Sequence, residues 1–492
     1  MTVLKKSRFV RNTKSAGLVF NLFVLSAKRA LRLALENGLS EWFIRMLYRM
    51  LYRMLYQGTS RKCFNNAVRF RAVVFFVAAC AIAILISGCG NYTATTRKAR
   101  DEFYSGQFSE AAKSLEKGSK EEGLDQLLYI FDRATALHNA GQYEEAIKEF
   151  RKADAMAEIK DYTSLSAEAA TLVSNDKIIQ YKGEDFEKVL INQYLAIDYL
   201  MLGQFEDAQV ENRRVNRKLY LMITEGKRKY KLNPMAKYLS GIIFEAAGQF
   251  NDAYIDYKGV YDLEPDLPYL KEDLYRTAWK ANLEDAQEKW VREFQLTKER
   301  RLEIQQNALR PEIIVLVENG KSPEKQPHPQ WQALPKYYPR SNPVDHVRAE
   351  VTGVNSGDSF QLFSVEQTAI QNLDDKFAGL IAKRVGGVVV KEVIAAQVDD
   401  KVSPLLGAVL RLGMHAADQA DLRSWLTLPK DFQVFRMRVE PDRHYQLKII
   451  PKNSAGGNVD SSPVIEKTVV VDKKARKTGQ NLQKIFVPIR IL

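Results

Sequence analysis

Gly106–Gln107–Phe108–Ser109–Glu110–Ala111 is the first of four copies of one phrase. It returns as Gly141–Gln142–Tyr143–Glu144–Glu145–Ala146, as Gly203–Gln204–Phe205–Glu206–Asp207–Ala208 and as Gly248–Gln249–Phe250–Asn251–Asp252–Ala253. Apolar residues at helical spacing flank the copies, such as Leu124, Leu127, Leu128 and Phe131 before the second. The phrase therefore predicts a turn between two helices. Glycine ends the first helix because it accepts positive φ without steric cost. The aromatic packs across the turn, and the acidic pair opens the second helix where its dipole favours negative charge. Paired helices at closest approach need small side chains. Seven residues before each glycine stand Ala99, Ala134, Ala196 and Gly241, and five after stand Ala111, Ala146, Ala208 and Ala253.

The copies lie 35, 62 and 45 residues apart, so some units carry insertions. Self-similarity near this period resembles the tetratricopeptide repeat. That resemblance implies a helical solenoid and a scaffold for other proteins. The first-helix tryptophan of that repeat is missing, and its closing proline appears only as Pro265. Phe150 and Tyr257 fill the late aromatic position, whereas Leu115 and Asn212 stand there in the other copies, as suits capping units. Two further stretches, Tyr181–Lys182–Gly183–Glu184–Asp185–Phe186–Glu187–Lys188 and Arg423–Ser424–Trp425–Leu426–Thr427–Leu428–Pro429, are similar to a family of tetratricopeptide-repeat lipoproteins of Gram-negative bacteria. The resemblance spans most of the chain and implies an architecture without an activity.

The net charge of +13 points toward nucleic acid until it is located. Residues 1–71 hold 15 Lys and Arg against only Glu36 and Glu41, which leaves 58 of the 73 basic and 58 of the 60 acidic residues for the remainder. A nucleic-acid surface needs clustered charge on the folded part, so that class is set aside. After Arg61, Lys62, Arg69 and Arg71 comes the uncharged run Ala72–Ser87, which reads as a secretory signal and falls short of a span of about 20 residues. Ile86–Ser87–Gly88–Cys89 resembles the bacterial lipobox. That implies cleavage after Gly88 and diacylation of the Cys89 sulfur, which anchors stably because it brings more than one acyl chain. Gly90 in place of Asp implies, by likeness to enterobacterial sorting, the periplasmic face of the outer membrane. An uncleaved signal anchor is the alternative. Cleavage would discard Cys63 and Cys80, so no internal disulfide is expected. Upstream, the tandem Arg45–Met46–Leu47–Tyr48, Arg49–Met50–Leu51–Tyr52, Arg53–Met54–Leu55–Tyr56 suggests that translation starts at Met46, Met50 or Met54; the rival reading is an interfacial helix.

The expected fold is mainly α, a tetratricopeptide-type solenoid followed by a smaller mixed α/β or β-sandwich-like domain. Residues 1–88 form the leader, 89–97 the lipidated cysteine and tether, and 98–310 the repeats. Residues 311–345, with Pro323, Pro327, Pro329, Pro335, Pro339 and Pro343, read as a Pro-rich linker. Residues 346–492 read as β-rich with a helical insert between Glu366 and Ala420. Alternation at Phe435, Met437 and Val439 and at Tyr445, Leu447 and Ile449, joined by Glu440–Pro441–Asp442–Arg443, predicts a hairpin. Further strands are expected at Val464–Val471 and Ile485–Ile491.

Catalytic phrases are missing. The histidines His138, His328, His346, His415 and His444 have no metal-ligand spacing, and Gly320–Lys321–Ser322 lacks the earlier glycine of a phosphate loop, since Val315 stands there. No catalytic residue, metal or cofactor is expected. The expected role is a membrane-anchored interaction scaffold in envelope assembly or regulation, meeting a protein client in the solenoid groove. Tyr194, Tyr199, Arg213, Arg214 and Asn216 are the candidate groove residues, with Tyr194 and Tyr199 also reading as core. The alternatives are an envelope enzyme or glycan binder with its site in the C-terminal domain, and a structural spacer.

Overall fold

In the computed structural model, residues 92–162, 180–224, 234–354, 356–382, 420–441, 443–471 and 484–492 are described. The expected leader and cleavage site, with Met46, Met50, Met54, Gly88 and Cys89, lie outside them, as does most of the expected helical insert. Residues Met1–Thr95 form one unit, of which only the short helix Tyr92–Thr95 is described; Thr96–Leu492 form the other, and each is taken by itself.

The glycine turns set the helical half. Gly106, Gly141, Gly203 and Gly248 have φ of +77°, +74°, +72° and +77°. At the second copy, Gly141 N donates to His138 O at 3.0 Å and Gln142 N to Leu137 O at 2.9 Å. These are the two bonds by which a left-handed residue satisfies the last carbonyls of a helix. The turns join α1 (Arg97–Tyr104) to α2 (Phe108–Lys120), α3 (Gln126–Asn139) to α4 (Tyr143–Tyr162), α5 (Asp185–Met201) to α6 (Phe205–Thr224) and α7 (Pro234–Ala246) to α8 (Phe250–Tyr261). The small residues at both offsets are buried. A Cβ on Gly241 would stand 2.7 Å from the buried Tyr257 ring, which explains glycine where the other copies have alanine.

A fifth pair, α9 (Leu270–Lys280) and α10 (Glu284–Glu293), carries no glycine. Asn282 takes φ +54° instead, and Leu283 N donates to Ala278 O at 2.9 Å as in the other turns. Asparagine is among the few residues that visit this region readily. The turn chemistry here survives a change of residue, so the glycine phrase does not mark this pair. Helix α11 (Lys298–Asn307), capped by Thr297, ends the array.

The stretch 311–345 is not a linker. It begins with β1 (Glu312–Asn319), buried along its whole length, and contains the ribbon of β2 (Glu324–Pro327) and β3 (Pro335–Tyr338). The prolines stand in the loops and at the ribbon ends, where no ladder donor is lost. β1 was unreadable as a strand by alternation because both its faces are covered.

Two four-stranded sheets follow. β10 (Lys484–Ile491), β1, β7 (Asp431–Arg438) and β6 (Phe360–Ser364) make the first; β5 (Ser356–Asp358), β4 (His346–Val351), β8 (Arg443–Lys452) and β9 (Ile465–Val471) make the second. They share one apolar core that includes Ile313, Val315, Val317, Val347, Phe435, Leu447, Ile449, Val469 and Val487. The predicted hairpin does not form. β7 pairs with β1 and β6, whereas β8 pairs with β4 and β9, so the chain changes sheets at Glu440–Pro441. The alternation predicted there is present; it marks strands on opposite walls of one core rather than neighbours. β10 lies parallel to β1 at the sheet edge, where Pro488 costs no hydrogen bond. Residues 365–382 are helical. Among the described residues no helix is long and apolar enough to cross a membrane.

Candidate functional site

The period of two divides the first sheet between two neighbours. In β1, Ile313, Val315 and Val317 enter the sandwich core, which leaves Glu312, Ile314, Leu316 and Glu318 on the opposite face. On β7 and β10 that face carries Phe432, Arg436, Lys484 and Arg490. It packs on the inner helices α3, α5, α7 and α9. The concave surface of the solenoid is therefore filled by the chain's own sheet.

Charge pairing holds the two together. Near the first repeats, His138 of α3 lies 2.8 Å from Glu318 through Nε2, and its Nδ1 meets Asp198 of α5. Tyr194 donates its hydroxyl to Glu318 at 3.0 Å, and Arg490 approaches the same carboxylate at 3.0 Å. Burial pulls the His138 pKa down, but the charges of Asp198 and Glu318 outweigh it and hold the imidazolium at about 10. Burial, which would raise Glu318, is overcome by His138 and Arg490, and the carboxyl falls to about 2. For Asp198 burial prevails, and its pKa rises to about 6 despite His138.

Farther along, three fully buried cations meet three buried carboxylates. Arg276 of α9 donates to Glu245 of α7 at 2.7 and 3.0 Å and pairs with Asp273. Arg436 of β7 donates to Glu312 at 2.9 and 3.0 Å, to Asp273 at 2.7 Å and to the Tyr238 hydroxyl at 2.5 Å. Lys484 of β10 bridges Glu245 at 2.9 Å and Glu312 at 2.7 Å. Burial disfavours both carboxylates, yet Arg276 and Lys484 hold Glu245, and Arg436, Arg438 and Lys484 hold Glu312, well below the ordinary range. Removing such charges from water is affordable only because each is matched.

A short segment before β7 completes the closure. Trp425 stacks on Phe131 with ring centroids 4.3 Å apart and lies beside Phe150 and Tyr194. Its Nε1 donates to Thr135 Oγ1 at 2.9 Å and its backbone N to Glu187 at 2.7 Å, while Thr427 Oγ1 donates to Asp132 at 2.8 Å. Glu187 also accepts from the Tyr181 hydroxyl at 2.6 Å and forms a capping box with Glu184 at the start of α5. Burial and the Glu184 charge raise its pKa to about 7. The two stretches that carried the family resemblance thus meet at Glu187 and Trp425.

Of the candidate groove residues, Tyr194 alone reaches the sheet. Tyr199 is buried within the array, with Arg151 over its ring. Arg213 and Arg214 are exposed on α6, Asn216 is half-buried there, and Arg214 bonds Asp154 of α4 at 3.2 Å, away from the groove. The residues that line it were missed because acidic and basic groups in helices and strands read as solvated faces. Among the described residues no group of three or more His, Cys, Asp or Glu is arranged to hold a metal ion.

His138 makes the interface sensitive to alkali. Its folded pKa of about 10 lies above the free value of about 6.5, so its contribution is complete below pH 6.5 and is lost as pH rises through 10. Urea midpoints measured from pH 6 to 10 should fall more steeply for the native chain than for His138→Gln; parallel slopes would contradict the pairing.

No protein-family model matches the chain, and no curated protein matches it. Solved structures of TPR-like repeat proteins do. A kinesin light chain from Podosopora anserina with nearly identical TPR-like repeats is 16% identical and covers 43% of this chain and 93% of its own, with a TM-score of 0.28. MamA from Desulfovibrio magneticus is 15% identical over 44% and 97%, at 0.28. BtubC from P. vanneervenii is 15% identical over 57% and 89%, at 0.26. The chain is thus a helical-repeat protein whose inner helices are covered by its own β-sandwich.

Proposed function

We propose that this chain is a lipoprotein, held through acylated Cys89 at the periplasmic face of the outer membrane, that acts as an interaction scaffold in envelope assembly or regulation. The observation that carries the scaffold reading, and changes it, is the filled groove. Repeat arrays ordinarily recruit partners along the concave face. Here that face is occupied, since His138, Glu245 and Asp273 engage Glu318, Lys484 and Arg436, and Trp425 bonds Thr135. Partners must then meet the outer helices or the solvent side of the second sheet, where β4 and β8 present Arg348, Glu350, Gln446 and Lys448. The alternative site for an enzyme or glycan binder gains no support from the C-terminal core, which is apolar. Mass spectrometry of the processed N-terminus, with membrane fractionation of the native chain and Cys89→Ala, tests the anchor. A diacylated Cys89 in the outer membrane, absent in the variant, is the expected result. A mature chain that retains its leader would sink it.

A further inference from the structure

Helix α6 belongs to the outer layer. Val215 and Leu219 point inward, packing with Val189 of α5 and Ala236 of α7. Its opposite side has an unusual composition. Between Val210 and Leu221 the exposed side chains are Val210, Arg213, Arg214, Arg217, Tyr220 and Leu221, three cations and three apolar groups with no acid among them. Helical geometry places all six in one stripe about 17 Å long. The apolar members stand well out of the surface, Tyr220 at 63%, Val210 at 40% and Leu221 at 36% exposure. The first turn of α6 exposes Glu206 and Asp207, as α2 exposes Glu110 and α4 exposes Glu144 and Glu145. Past that turn the helices differ: α4 exposes Glu158 among Lys148, Arg151 and Lys152, whereas α6 exposes no acid from Val210 to Leu221.

We infer that the outer stripe of α6 docks on an anionic phospholipid surface. The guanidinium groups complement headgroup phosphates, and the tyrosine and aliphatic side chains suit the shallow apolar layer beneath them. A lipid surface fits better than an acidic peptide because the apolar groups protrude from a convex helix. A peptide would need walls to shield it. Arg214 also bonds Asp154, so Arg213 and Arg217 carry most of the free charge. This inference rests on the membrane location proposed above, but its test dispenses with the lipid anchor, so either can fail alone.

The test uses the full chain carrying Cys63→Ser, Cys80→Ser and Cys89→Ser, with an environment-sensitive fluorophore on Leu221→Cys. A probe there reports local polarity whether or not the apolar leader adsorbs elsewhere. Vesicles of phosphatidylglycerol with phosphatidylcholine should blue-shift the probe, and pure phosphatidylcholine should not. Adding Arg213→Glu with Arg217→Glu should raise the lipid needed for half-maximal shift about tenfold or more, as expected for basic groups at an anionic surface. Arg213→Lys with Arg217→Lys should restore it, and Lys113→Glu with Lys117→Glu on α2 should change nothing. An unchanged unfolding midpoint checks that each variant is folded. No shift on anionic vesicles, an equal shift on neutral ones, or a shift indifferent to the glutamates overturns the inference. A response to soluble polyglutamate without one to vesicles overturns it in favour of an acidic polypeptide.

Discussion

Trp425→Ala is expected to lower the stability of the body by about 3–5 kcal/mol, the cost of deleting a fully buried aromatic without collapse of its site. The residue is 1% exposed and stacked on Phe131, with Phe150 and Tyr194 around it, so the void would be walled by rings that belong to three different elements. Thr135 would also lose a donor. Trp425→Phe keeps most of the apolar contact and loses the Nε1 bonds to Thr135 and Thr427, so a smaller loss of about 1–2 kcal/mol is expected. Urea unfolding followed by far-ultraviolet dichroism measures both. If the segment joins the helices to the sandwich, the alanine variant should also unfold less cooperatively, with a lower slope. A cost below about 1 kcal/mol would show that the Ser424–Leu428 segment only rests on the groove.

Glu312→Ala should be comparably severe, again about 3–5 kcal/mol, because it strands charge out of water. Arg276, Arg436 and Lys484 would then share Glu245 and Asp273, with the partly exposed Glu272 within reach of Arg276 alone among them and Arg438 a further cation 3.4 Å from the deleted group. An exposed pair such as Lys117 and Glu121 has no such leverage and contributes about 0–1 kcal/mol. Glu312→Leu with Lys484→Met removes one charge of each sign and should recover much of the loss. The pH dependence has a definite sign. Because the Glu312 pKa is depressed, its contribution is present above the free value of about 4.3 and disappears as pH falls through the folded one. The native chain should therefore lose stability on acidification below about pH 4, and Glu312→Ala should lose less. Equal acid slopes would place the charge network outside the stability balance.

The helix pairs were readable from residue order because their determinants are local. A positive φ at Gly141, a small residue at Ala134 and another at Ala146 act within a dozen residues, and those offsets recur wherever the turn does. Strand identity at Phe435 to Val439 and at Tyr445 to Ile449 was equally local, since alternation records which side chains leave the sheet. Partner choice was not. β7 and β8 follow one another in the chain yet belong to different sheets, and β1 finds both its neighbours, β7 and β10, more than a hundred residues downstream.

The same limit hid the groove. Glu312, Glu318, Arg436, Lys484 and Arg490 look like solvent-facing charges when read in order, because a charge betrays its burial only through the counter-charge beside it. Counter-charges from the other half, His138, Glu245 and Asp273, lie on helices far away in the chain. Residue order thus determined the repeat, its turns and the outer faces of the helices. Tertiary structure decided that the concave face is closed, since desolvating a charge is tolerable only where folding delivers its partner to hydrogen-bonding distance.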